Sequence, residues 1–401
     1  MNIKRKISCF RILFIIALFT LLLITVGLFV SAILKTQSMI TEASSRVESI
    51  YSKDESQFSA VYNEIPEISD DLSVDEASQD HSYIESEPQE DELLHGWVIN
   101  EYGYTYVYND CGYEQFNYKT TALNRYVNTL NNLRKIIPDN LRVFTMIAPV
   151  SSTFAEIPRE IYVSDNFFNQ SQTSFEATYA SKLDEGLISV PTVKKLEEKY
   201  DSNEQIFFRT DKNWTSLAAY YAYEEYCIAA SISNYSLESY SRHEDLQYLG
   251  CFYAATESSL MLDNPDTFTV YSTLPSVKTA LTVYDNDRIF TEYVLCENNA
   301  SKFTAYNRYL GRDAGRYEIS TTAEGGNLLV IGDSSVYPIL PYLCSHYSKI
   351  DFINPEYFKQ KLATFIKDRN YDDCLVMCYS TNAVSGNFVP YLSNLIGVNN
   401  E

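Results

Sequence analysis

The sequence predicts an α/β domain built on a mostly parallel sheet, held outside a membrane by a single N-terminal helix. Three observations predict it. An uncharged run from Ile12 to Leu34 follows Lys4, Arg5, Lys6 and Arg11; a long acidic stretch without regular spacing comes next; and from about residue 95 short apolar runs alternate with segments of helical period. Strands alternating with helices imply a parallel sheet covered by helices.

The N-terminal run is long enough for a membrane helix, which needs about 20 apolar residues to cross ~30 Å at ~1.5 Å per residue. Basic residues ahead of the run favour a cytoplasmic N-terminus. The expected organisation is therefore a cytoplasmic segment 1–11, a transmembrane helix 12–34, a stalk 35–94 and an extracytoplasmic domain 95–401. Val30-Ser31-Ala32 also satisfies the small-residue rule for signal-peptide cleavage, but cleavable cores are usually only ~7–15 residues. A retained single-pass anchor in the cell membrane is the favoured expectation, and cleavage stays the alternative.

The net charge of -22 is concentrated in the stalk, where Asp and Glu recur from Asp54 to Asp91 with Lys53 the lone base. Such a segment buries too little apolar surface to offset its ordering entropy, so disorder is expected there. The acidity argues against nucleic acid as partner. The eight cysteines include no CxxC pair or zinc-ligand spacing, and no metal or other cofactor is expected. Cys374 and Cys378 sit too far apart on one strand to be bridged. A bridge between distant positions, such as Cys251 with Cys296, remains open.

Along the domain, His95 to Tyr118 alternates aromatic and polar residues around glycines, as hairpins do. Tyr118 to Ile137 has helical spacing closed by Pro138. Arg142 to Ala148 reads as a buried parallel strand. Helices are expected over Phe175 to Leu187, Val193 to Tyr200 and Ser216 to Ala230, with a short strand from Gln205 to Phe208. Residues 235–315 lose the helical rhythm and suggest a β-rich insertion. The α/β alternation then resumes: strand Asn327 to Ile331, helix Ser335 to Tyr347, strand Ile350 to Ile353, helix Tyr357 to Lys367 and strand Cys374 to Tyr379.

Two loops carry candidate chemistry. Gly332-Asp333-Ser334-Ser335 follows a strand and precedes a helix, which would set the Ser334 hydroxyl beside backbone N–H groups and a helix dipole able to stabilise an oxyanion. An ordinary helix cap fits the same residues. Arg209-Thr210-Asp211-Lys212-Asn213-Trp214-Thr215 lies between a short strand and a helix and reads locally as a capped helix start, with Asp211 or Thr215 as cap. Asn382, at the same sheet edge as Ser334, is a candidate oxyanion donor or sugar ligand, though a loop Asn is more often a turn residue.

The order of blocks Phe208-Arg209-Thr210-Asp211-Lys212-Asn213-Trp214-Thr215, Tyr248-Leu249-Gly250-Cys251-Phe252-Tyr253, Arg308-Tyr309-Leu310-Gly311 and Leu328 to Ser334 resembles the DHHW family of bacterial extracytoplasmic proteins. That family is related to the SGNH/GDSL hydrolases and the alginate O-acetylation proteins. The resemblance implies a three-layer SGNH-hydrolase-like fold and a Ser–His–Asp triad that moves acetyl groups on or off cell-surface polysaccharide. Ser334 matches the nucleophile and Asp211 the motif Asp, with Gly332, Asp333, Arg209 and Asn382 as candidates for substrate or oxyanion contacts. A cell-surface glycan would be the substrate, and a membrane acyltransferase would be a partner.

The chain departs from the family at the decisive positions. Lys212 and Asn213 stand where the motif has His, and the catalytic His would fall at Asn213. Asn offers no basic nitrogen near pH 7, and loss of a triad His typically costs ~10⁴–10⁶ in turnover. His346 is too far along its helix to substitute, whereas His243 and a deprotonated Lys212 are the remaining candidate bases. Two expectations follow: an acetyl-transfer or de-esterification enzyme, or a non-catalytic glycan-binding or scaffold protein of the envelope. The degenerate motif favours the second.

Overall fold

The computed structural model describes residues 94–100, 103–285, 288–293 and 305–398. The expected membrane helix 12–34 and the stalk, apart from Leu94, lie outside the described residues. Among those described, no helix is long and apolar enough to cross a membrane.

The described residues open with a three-stranded antiparallel sheet of β1 (His95–Asn100), β2 (Gly103–Tyr108) and β3 (Cys111–Tyr113). The main sheet has eight strands. They are β4 (Arg142–Ala148) and β5 (Leu187–Val190); then, after the hairpin strands β6 (Arg242–Tyr248) and β7 (Asp266–Tyr271), β8 (Thr279–Asp285), β9 (Arg288–Tyr293), β10 (Arg316–Thr321), β11 (Asn327–Gly332), β12 (Lys349–Ile353) and β13 (Asp373–Tyr379). Their spatial order is β5-β4-β13-β11-β12-β10-β8-β9. The first five are mutually parallel, and β10, β8 and β9 continue the sheet antiparallel.

Sequence explains the centre. Strand β13 (DCLVMCY) is buried at every position and β11 (NLLVIG) at all but its first, the near-continuous apolar pattern of strands covered on both faces. Register is pinned at the amino ends, where Arg142 faces Asp373 across β4 and β13. The guanidinium donates from Nε and Nη2 to the two carboxylate oxygens of Asp373, each at 2.7 Å. Such a two-pronged, charge-assisted pair fixes direction as well as position. The helices pack as a continuous series, with Gln172–Ala180 touching both Thr120–Arg134 and Val193–Asp201. Thr120–Arg134 contacts Phe388–Ile396 and Ser380–Val384, while Ser216–Ala230 contacts Val193–Asp201 and the turn Ser334–Ile339. The buried Glu176 carboxylate accepts from Thr192 N at 2.9 Å and Val193 N at 3.2 Å, closing the start of the helix Val193–Asp201.

Several expectations change. Residues 235–315 do not form one insertion: β6 and β7 pair as a separate two-stranded sheet, while β8 and β9 join the main sheet through β10. The expected helix from Ser335 to Tyr347 is a 3-10 turn, Ser334–Ile339, followed by a single α-turn, Leu340–Leu343. Pro338 and Pro341 explain it, because each lacks an N–H and crowds the preceding turn. Gln205 to Phe208 is reduced to one bridge, Phe207 with Trp214. The helix expected over Tyr357 to Lys367 shrinks to Leu362–Ile366, and the one expected over Phe175 to Leu187 is Gln172–Ala180, with Leu187 opening β5. The described cysteines, Cys251 among them, are unbridged; Cys296 lies outside the described residues.

Candidate functional site

Parallel strands deliver their carboxyl ends to one edge, where ligand sites of open α/β sheets gather. Strand β11 ends at Gly332, beside Met377 of β13. A Cβ there would stand 2.4 Å from both Met377 O and Val336 Cγ2, so only glycine permits this close turn. Asp333 then ties the two strand ends together. Its Oδ1 accepts from Ser335 N at 2.9 Å, and its Oδ2 accepts from Tyr379 N at 3.1 Å and from Asn382 Nδ2 at 2.6 Å.

Ser334 is half-buried and lines a cavity of about 320 Å³ with Lys212, Asp333, Tyr357, Asn382 and Tyr391. Among the described residues nothing hydrogen-bonds its hydroxyl. Ser335 is fully buried, and its Oγ has no hydrogen-bond partner among them. The donors expected to stabilise an oxyanion are already engaged: Ser335 N by Asp333 Oδ1, and Val336 N by Asp333 O at 3.2 Å. With a six-residue 3-10 turn instead of a helix, the dipole contribution is small as well.

The second loop packs directly on the first. Thr215, not Asp211, caps the helix Ser216–Ala230, its side chain accepting from Ala218 N at 3.2 Å. Trp214 is wholly buried and donates from Nε1 to Ser335 O at 3.1 Å. Tyr379, the last residue of β13, donates its hydroxyl to Asn213 Oδ1 at 2.9 Å and accepts from Trp214 N at 3.4 Å. Asp211 is buried and saturated: Oδ1 accepts from Asn213 N at 2.7 Å, while Oδ2 accepts from Tyr248 OH at 2.7 Å and Cys251 N at 2.9 Å. Gly250 makes room for it, since a Cβ there would lie 2.1 Å from Asp211 Oδ2.

Lys212 projects from this loop and lines the Ser334 cavity, its stem open to solvent and its ammonium set among the site's carboxyls. The carboxylate of Glu114, helped by Cys251, Asp211 and Asp333, holds its ammonium above the usual lysine range against the opposing effect of burial. A base must lose that proton, so this environment disfavours Lys212 in that role. Glu114 behaves conversely. Burial pushes its carboxyl up, Asp211 and Asp333 add to the shift, and Lys212 and a hydrogen bond with Thr381 oppose it.

No described histidine reaches the site. His243 is exposed on β6, five residues, or roughly 16 Å at ~3.3 Å per residue, along the strand from Tyr248. Its Nε2 faces Ser272 Oγ at 3.5 Å. His346 Nε2 meets Tyr223 OH at 2.7 Å, and His95 pairs with Asp165 at 2.6 Å.

The fold thus gathers Ser334, Asp333, Gly332, Asp211, Lys212, Asn213 and Asn382 at one edge. Arg209 is placed elsewhere. Its guanidinium is held by Asp110, by Asp266 at 3.3 Å from Nε, and by Asn264 O at 2.9 Å, and it does not line the cavity. Tyr379 and Glu114 were missed by sequence reasoning. Tyr379 could have been found, because it ends a buried strand three residues before Asn382. Glu114 sits in a hairpin segment with no local signal. Among the described residues no group of three or more His, Cys, Asp and Glu is arranged to hold a metal ion.

A family model described as DHHW protein matches residues 32–353. The fold is similar to that of a DHHW family protein from Eubacterium siraeum DSM 15702, at 24% identity over 76% of this chain and 98% of that one, with a TM-score of 0.65. It is also similar to Bacillus cereus PatB1, solved with a sulfonyl adduct, at 17% identity over 73% and 98% of the two chains and a TM-score of 0.54. The O-acetyltransferase domain of Pseudomonas putida AlgJ matches at 11% identity over 75% and 99%, with a TM-score of 0.40, too distant to carry an argument. No curated protein matches the chain.

Proposed function

The chain belongs to the DHHW family, and from that premise we propose that it is a membrane-anchored, extracytoplasmic protein of cell-envelope polysaccharide O-acetylation that binds glycan at the Ser334 cavity without turning it over. One observation carries this reading. The Ser334 hydroxyl opens into a cavity of about 320 Å³, while the position of the motif His is filled by Asn213, whose Oδ1 is occupied by Tyr379. The amide has no nitrogen that accepts a proton. The nearby cation, Lys212, is kept charged by Glu114. In this reading Asp211, which would orient the motif His, serves as a structural anchor for Tyr248 and Cys251.

The anchor rests on the basic residues ahead of the apolar run Ile12 to Leu34, which favour a cytoplasmic N-terminus. A membrane acyltransferase is the corresponding proposed partner, handing acyl groups to a glycan held outside.

A fluorophosphonate serine probe, applied to the full chain in detergent and read by intact mass, tests the reading. Wild type is expected to remain unlabelled. Asn213→His is expected to gain one adduct that Asn213→His with Ser334→Ala loses. Labelling of wild type at Ser334 would reject the non-catalytic reading.

A catalytic reading has one specific observation in its favour. Burial pushes the Glu114 carboxyl up, with Asp211 and Asp333 adding to the shift and Lys212 opposing it, and a carboxyl held above its ordinary range is a competent general base. Under that reading Ser334-dependent labelling would appear in wild type and vanish in Glu114→Gln.

A further inference from the structure

A second cavity, of about 240 Å³, adjoins the first. Its walls include Tyr284, Arg316, Tyr357, Lys359, Phe365 and Arg369. Tyr357 also lines the Ser334 cavity and is 39% exposed, so one accessible aromatic ring stands between the two. The turn that carries it is fixed in place. Asn354 N donates to Gly315 O at 3.1 Å, and a Cβ on Gly315 would come within 2.9 Å of Tyr357 O.

The two cavities differ in charge. Asp313, Asp333 and Glu356 line the first against Lys212 alone. The second is lined by three cations and no carboxylate. That is unexpected in a chain with 53 acidic and 31 basic residues. Arg316 is the fixed member: it lies 4.2 Å from the Tyr284 ring and 5.2 Å from the Phe365 ring, and donates from Nε to Asp351 at 2.8 Å. Arg369 stacks 3.9 Å over Phe365, which orients its planar fork, and it forms no salt bridge among the described residues. Lys359 is exposed and likewise has no acidic partner among them. Two cations without counter-charges, one oriented by stacking, make a receptor for carboxylate or phosphate oxygens.

We propose that this second cavity is an anion subsite, so that the polymer bound at Ser334 is an acidic glycan whose carboxylate or phosphate group sits between Lys359 and Arg369 while a sugar ring lies against Tyr357. This rests on the glycan reading of the Ser334 cavity. It adds that anionic polymer is selected over neutral polymer, and that the charge contact is made across Tyr357 from the serine.

The test is equilibrium binding to the full chain in detergent, using three probes: oligogalacturonate for carboxylate, glycerol-phosphate oligomer for phosphodiester, and neutral cello-oligosaccharide. One anionic probe is expected to bind at least about tenfold tighter than the neutral one and to weaken with added salt. Lys359→Gln with Arg369→Gln is expected to remove that advantage while leaving neutral binding unchanged. The anionic probe preferred by wild type identifies the group. Lys359→Gln alone, at an exposed side chain, should give an intermediate loss and guards against misfolding of the double variant. Equal affinity for anionic and neutral probes, or an anionic preference untouched by both variants, overturns the subsite. Ser334→Trp, which fills the first cavity, separates the two ideas. If it leaves all binding intact, the glycan reading of that cavity fails, whatever the charge variants do. If no probe binds wild type, both fail.

Discussion

The Tyr379 hydroxyl donates to Asn213 Oδ1 at 2.9 Å while accepting from Trp214 N at 3.4 Å. This pair locks the end of β13 to the Asp211–Trp214 loop.

Asn213→His is the informative gain-of-function change. Because Asp211 is already saturated by Tyr248, Cys251 and the residue 213 backbone, the new imidazole would lack its usual orienting carboxylate. Ester hydrolysis is expected to rise by roughly 10²-fold, within the range of general-base contributions, well short of a full triad. Hydrolysis of p-nitrophenyl acetate measures it, with Ser334→Ala in the same background as the blank.

Tyr379→Phe removes one hydroxyl and leaves both Asn213 Oδ1 and Trp214 N without that partner. A loss of about 1–3 kcal/mol in unfolding free energy is expected, the usual cost of unsatisfied buried polar groups. Urea denaturation followed by Trp fluorescence reads it directly, since the buried Trp214 adjoins the change.

Gly250→Ala forces a methyl group against the Asp211 carboxylate, 2.1 Å from Oδ2. The carboxylate is held on three sides and cannot swing away, so a destabilisation of about 1–3 kcal/mol is expected from overpacking. A thermal melt unchanged from wild type would show that the loop yields more easily than its hydrogen bonds suggest.

Glu176 supplies a pH dependence. Burial raises its carboxyl to about 7, against the lowering influence of the Val193 and Thr192 contacts. The folded form then holds the proton more tightly than the unfolded one, so the advantage is complete below about 4.5 and is lost as pH rises to about 7. Stability is expected to fall across that window by up to roughly 3 kcal/mol, at 1.36 kcal/mol per pKa unit. In Glu176→Gln the slope between pH 5 and 7 should flatten, and at pH 8 the variant should melt no lower than wild type.

Much of the parallel core could be read directly. The run Asn327 to Ile331 is strand β11 one residue short, and the helix Ser216–Ala230 agrees at both ends. Continuous apolar runs and a capping Thr215 are local signals, and a strand buried on both faces leaves no other pattern. The failures had local causes too. Pro338 and Pro341 forbid the long helix that the apolar character after Ser334 suggests. Residues 279–293 looked like part of an insertion because alternation reveals a strand and not its partner.

By itself the sequence determined that Ser334 stands at the carboxyl end of a parallel strand, where sites of such sheets gather; only the fold brought the Asp211–Trp214 loop to it, since the stretch before that loop is a single bridge and not a strand of the sheet. The sequence also determined that Asn213 brings no base, because that is a property of the amide. Only the tertiary structure decided which side chains satisfy which. Arg209 was absorbed by Asp110 and Asp266, Asn382 was spent on Asp333, and Lys212 was kept charged by Glu114 from a distant hairpin. Those pairings depend on distances across the packed fold, and they fix charge states that no local spacing along the chain encodes.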